Sequence, residues 1–141
     1  MQERKYDLED RLLEYAASIV RFVEKMPNTR AANHVGGQLL RSGTSPLFNH
    51  GEAQAAESSN DFVHKMKICL KELRESQRAL RLIEKVPLTV VAADLCPLLK
   101  ETDELIRIFV ASIRTSKDKK ICENNEVGYE VPSLLTFDVR C

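Results

Sequence analysis

Between Leu8 and Met26, the apolar residues Leu12, Ala16, Ile19, Val23 and Met26 return at steps of four, three, four and three. An α-helix turns once in about 3.6 residues, so this spacing lays the five side chains along one stripe. Leu13, Val20 and Phe22 widen it. A helix with one apolar stripe must hide it against another element, and the cheapest partner is a second helix of the same kind.

The pattern recurs along the chain. Phe62, Met66, Cys69, Leu73, Leu80 and Ile83 follow a 3.5-residue repeat interrupted only at Ser76, which predicts a helix running to about Lys85. Val91, Leu95, Leu98, Leu105, Phe109 and Ile113 mark a further helix ending near Lys117, with Thr102 filling its gap and Pro97 bending its first part. The least regular segment is Arg30 to Glu57. Ser42-Gly43-Thr44-Ser45-Pro46 interrupts it, and Pro46 lacks an amide donor, so a kink is expected there. Past the kink, Gly51, Ala53, Ala55 and Ala56 offer room for a neighbouring backbone.

Caps and turns fall between these segments. Pro27 stops the first helix, and Asn28 or Thr29 can cap the second. Ser58 to Asp61 reads as a loop and cap for the third, and Thr89 can cap the fourth after Val86-Pro87-Leu88. Only five Gly, five Pro and 6% aromatic residues in 141 favour long helices and short turns over many strands. The expectation is an all-α, antiparallel up-and-down four-helix bundle over residues 1–117, with a kinked second helix. Residues 118–141 fall outside the helical pattern and read as a non-helical C-terminal tail or docking arm.

Charge narrows the function classes. Twenty-one Lys and Arg balance twenty-one Asp and Glu, so no overall field draws the protein to nucleic acid or an anionic membrane. The charged segment Met1 to Asp10 and the absence of any apolar run of spanning length lead us to expect a cytoplasmic protein with no membrane partner. Cys69, Cys96, Cys122 and Cys141 are far apart and are expected to be free thiols.

Chemistry-bearing constellations are sparse. A di-iron bundle needs Glu-x-x-His on each of two helices, and that pattern is missing. Asp61 and His64 are three apart but lack further ligands, and His34 and His50 have no acidic or thiol companion at helical spacing. No phosphate loop, nucleophile elbow or His-Glu-x-x-His occurs. We therefore expect no enzyme, metal or cofactor.

One polar feature stands out. Lys67, Lys71, Arg74, Arg78, Arg81 and Lys85 follow at steps of four, three, four, three and four, on the b and f positions of the third helix's heptad. Like charges three and four apart oppose a helix by about 0.2 to 0.5 kcal/mol per pair, so the ridge does not serve helix formation. It can face the acidic cluster Glu101, Asp103 and Glu104 on the fourth helix or on another subunit, a nucleic-acid backbone or an acidic protein, or only water and counterions.

Arg41, Ser45, Asn49 and Glu52 form an R-x-x-x-S-x-x-x-N-x-x-E stretch, and Ser58, Phe62, Leu70, Leu73 and Glu75 continue it. This resembles the bacterial four-helix-bundle family of proteins encoded in intervening sequences of large-subunit ribosomal RNA genes, related to the accessory variability proteins of diversity-generating retroelements. The similarity covers residues 7 to 117. It departs at Ser45-Pro46-Leu47-Phe48-Asn49, where the proline is moved by one, and at Gly51-Glu52-Ala53. The resemblance implies a homo-oligomer, typically a pentamer, with RNA or a protein as partner. Ser45, Asn49 and Glu52 lie on one helical face, and we read them as a structural polar network.

Overall fold

The structure, a computed structural model, describes residues 7–89 and 92–126. Four helices fill it: α1 (Leu8–Glu24), α2 (Arg30–Gln54), α3 (Ser59–Lys85) and α4 (Ala92–Glu126). Local chemistry fixes three of the starts. Asp7 caps α1 by accepting from the amides of Glu9 and Asp10, Thr29 caps α2 through Ala32, and Ser58 caps α3 through Asp61. Each oxygen satisfies an amide that the first turn would leave unpaired. Thr89 precedes residues 90–91, so its expected role as a cap, and Val91 in the stripe of α4, lie outside the described residues.

Each helix packs on its neighbours in chain order, α1 on α2, α2 on α3 and α3 on α4, with a looser fourth seam between α1 and α4. Interhelical pairs run antiparallel: Arg41 reaches Glu72 while Glu52 reaches Lys65, and Arg11 reaches Glu101 while Lys25 reaches Asp94. The expected stripes point inward. Leu12, Ile19, Leu39, Met66, Cys69, Leu73, Leu80, Ile83, Leu105 and Phe109 are all buried in one core. No helix among the described residues is long and apolar enough to cross a membrane.

α2 carries Pro46 inside it and resumes beyond it as one helix, as the sequence leads us to expect, whereas the C-terminal segment departs from the expectation. Pro46 is buried, so packing holds the helix together across the missing amide donor. α4 continues nine residues past Lys117, because Asp118 to Glu126 contains no Gly or Pro to stop a helix already formed. The docking-arm reading of residues 127–141 lies outside the described residues.

Close approach of α1 and α2 depends on Gly43, since a Cβ there would sit 2.8 Å from Ile19 Cγ2 and 2.9 Å from Ile19 Cγ1. Gly51, expected to give such room, has nothing within 4 Å of a Cβ. It lies on the partly exposed side of α2, so no helix crosses there.

The centre of the bundle is polar. Tyr15 of α1, Ser42 of α2, Ser76 of α3 and Thr102 of α4 are all buried. The Tyr15 hydroxyl meets Thr102 Oγ1 at 2.7 Å, Thr102 Oγ1 donates to the Leu98 carbonyl at 2.6 Å, and Ser76 Oγ lies 2.8 Å from Ser42 Oγ. Each helix gives one hydroxyl to this layer. Such groups satisfy one another only in one register, so the layer fixes how the helices slide. Burial pushes the Tyr15 phenol up to about 12, so it stays protonated.

Candidate partner-binding face

The R-x-x-x-S-x-x-x-N-x-x-E residues sit along the side of α2 that borders α3. Arg41 Nη1 donates to Glu72 Oε2 at 3.1 Å, and Arg41 Nη2 donates to Glu75. Asn49 Nδ2 donates to Ser45 Oγ at 2.9 Å and to the Ser45 carbonyl at 3.1 Å. Glu52 takes another direction and pairs with Lys65 of α3 at 2.6 Å. That hydrogen bond, with the charge of Glu52 behind it, raises Lys65 above the usual lysine value. The structure thus joins Ser45 to Asn49 and spends Arg41 and Glu52 on the α2–α3 seam.

The seam sets the rotation of α3. With Glu72, Glu75 and Lys65 turned to α2, the b and f positions turn away from the core. Lys67, Lys71, Arg78, Arg81 and Lys85 are exposed and Arg74 is half-buried. None of the ion pairs among the described residues uses Lys67, Lys71, Arg78, Arg81 or Lys85.

The acidic cluster considered as their counterpart is engaged elsewhere. Arg11 Nε meets Glu101 at 2.6 Å and Arg11 Nη2 meets Glu104 at 2.5 Å, across the α1–α4 seam. Asp103 pairs with Arg107 one turn along α4 at 2.9 Å. Compensation of the ridge by Glu101, Asp103 and Glu104 of the same chain is therefore not what the fold does.

The histidines separate by environment. His34 and His64 are exposed on helix surfaces, and no cluster of three or more His, Cys, Asp or Glu residues suited to a metal occurs among the described residues. His50 is buried, edge-on to Phe109 with ring centroids 6.3 Å apart, and its Nδ1 has no hydrogen-bond partner. Burial lowers its pKa below the usual histidine value, against the weaker opposing charges of Glu9 and Asp7. Cys69 is buried in the core, and burial pushes its thiol up to about 12, far from a reactive thiolate. Cys96 and Cys122 are free and exposed, while Cys141 lies outside the described residues.

Sequence reasoning missed the hydroxyl layer. Ser76 and Thr102 stood out as breaks in two stripes, and the signal lay in asking which groups would satisfy them once buried. It also missed the α1–α4 groove of about 540 Å³, whose walls include Tyr15, Phe22, Pro97 and Leu98 with Arg11, Glu14 and Asp94 at its rim. No stripe predicts where a seam stays open.

Three comparisons with known proteins bear on this geometry. Residues 4–111 match the family described as 23S rRNA-intervening sequence protein. Among solved structures, the chain is similar to a protein with unknown function from the S23 ribosomal protein family of Bacteroides thetaiotaomicron VPI-5482. The two share 29% sequence identity and a TM-score of 0.70 over 76% of this chain and 98% of that one. No curated protein matches the chain.

Proposed function

The chain belongs to the 23S rRNA-intervening sequence protein family, and we propose that it is a non-enzymatic, homo-oligomeric bundle that presents the outer face of α3 to an acidic macromolecular partner. One observation carries this reading: a ridge of cations, five of which take part in none of the ion pairs among the described residues, while the acidic cluster Glu101, Asp103 and Glu104 is committed to Arg11 and Arg107. Aligned like charges oppose the helix that bears them. They are useful where a polyanion brings the compensating charge and releases its counterions on binding.

Exposed apolar side chains support the oligomeric part. Phe48 of α2 is 66% exposed and Leu13 of α1 is 55% exposed, side chains that a contact between copies would cover. Light scattering tests it directly: a mass several times 16.0 kDa is expected, and a monomer at that mass would remove the scaffold from the reading.

RNA is the second, finer reading, favoured by the phosphate-like demand of the ridge. The ridge lacks interleaved aromatic residues, so contact would run through the backbone with little sequence preference. Binding of a structured RNA should weaken as salt rises, and changing Lys71, Arg78 and Arg81 to Ala should flatten the log–log salt slope by about 2 to 3. Salt-insensitive or absent binding rejects RNA and leaves an acidic protein as partner.

A further inference from the structure

At the N-terminal end of the ridge, α3 and α4 together line a second concavity. It measures about 280 Å³, below the roughly 300 to 1,000 Å³ of sites for drug-sized ligands. Asn60, His64 and Lys67 of α3 line one side, and Ser116, Lys117 and Lys120 of α4 line the other. Antiparallel packing brings them together: Lys120 Nζ donates to Asn60 Oδ1 across the gap. No carboxylate lines the cleft. None of the ion pairs among the described residues neutralises Lys67, Lys117 or Lys120.

We propose that this cleft between α3 and α4 is a binding site for a phosphate monoester, seated among Lys67, Lys117 and Lys120. Three ammonium groups around one small hollow repel each other unless a multiply charged anion sits between them. A carboxylate brings one charge and two oxygens. A phosphate monoester brings nearly two charges and three strong acceptor oxygens, which matches three ammonium donors together with the Asn60 amide. Lys120 keeps further N–H donors while it bonds Asn60, and Asn60 keeps its own NH2 because only its oxygen is engaged.

The site deepens the partner-binding reading, since Lys67 belongs both to the ridge and to the cleft. A strand laid along α3 would end its track here, and a free phosphorylated small molecule would use the same donors.

The experiment is a titration of the full chain with inorganic phosphate at constant ionic strength, followed by amide shifts in NMR. Saturable shifts confined to residues 59–67 and 116–120 are expected. Changing Lys117 and Lys120 to Gln should weaken phosphate binding at least about tenfold, while changing Lys71 and Arg78 to Ala should alter it less than about twofold. A Lys117→Arg, Lys120→Arg variant keeps the charge and should retain binding, which separates loss of the site from loss of the fold.

Two oligoribonucleotides of one sequence, with a 5′-phosphate or a 5′-hydroxyl, identify the source. Tighter binding of the phosphorylated strand assigns a strand end, and equal binding alongside localised phosphate shifts assigns a small molecule. Phosphate shifts spread evenly over the surface, or unchanged in the Gln variant, overturn the proposal. The RNA reading of the ridge fails separately, through the absence of salt-dependent binding of unphosphorylated RNA.

Discussion

The α2–α3 and α1–α4 seams are both bridged by arginine, yet they are built differently. Across α2–α3, Arg41 meets Glu72, whose side chain is only 10% exposed, in the most extensive packing of the bundle. Across α1–α4, Arg11 meets Glu101 and Glu104, at 32% and 53% exposure, beside an open groove. The same ion pair thus does two jobs. In the closed seam it satisfies a carboxylate that packing has removed from water. In the open seam it ties two helices that apolar contact joins weakly. A buried charge is costly to orphan and an exposed one is not, so the seams should respond unequally to the same substitution.

The largest expected effect comes from the closed seam. Arg41→Met should lower stability by about 1 to 3 kcal/mol in urea unfolding, because Glu72 is left with neither its partner nor full access to water. A loss equal to that of the open seam would dissolve the comparison. The α1–α2 contact sharpens it. Gly43→Ala should cost about 1 to 2 kcal/mol, since the new methyl group collides with both Cγ atoms of fully buried Ile19. Gly51→Ala should gain about 0.5 to 1 kcal/mol through helix propensity alone. Two glycines of one helix would then shift the melting temperature in opposite directions.

Arg11→Met, on the open seam, should cost less than about 1 kcal/mol, and raising the salt should shrink that cost. The finest effect is on pH dependence. Burial depresses the His50 pKa below its unfolded value of 6.5, so the folded ring resists a proton that the unfolded ring accepts. Its contribution is fully present above that pH and falls as the pH drops through it. In His50→Gln the unfolding midpoint should decline less between neutral and mildly acidic pH than in the parent, and an identical decline would show that His50 is not responsible.

The stripes were legible because burial has a period. Leu12, Ile19, Met66, Leu73 and Leu105 lie where a 3.5 to 3.6 repeat puts them, and the caps at Thr29 and Ser58 follow from side-chain chemistry over three residues. The outward turn of the b and f cations follows from the same period. What stayed hidden depends on two helices at once. Nothing local distinguishes Gly43 from Gly51 until α1 is laid on α2. Tyr15 and Ser42 become parts of a buried layer only when Ser76 and Thr102 arrive from the other side. The continuation of α4 past Lys117 was missed because polarity was read as an ending, although a formed helix persists until something breaks it.

The account turns on whether the α3 cations serve a partner or the fold, and one triple variant, with Lys71, Arg78 and Arg81 changed to Ala, separates the two. Urea unfolding read beside binding of a structured RNA or acidic partner should show stability unchanged or raised, since like-charge repulsion is removed, while affinity falls by about tenfold or more. A clear loss of stability with affinity intact would contradict it.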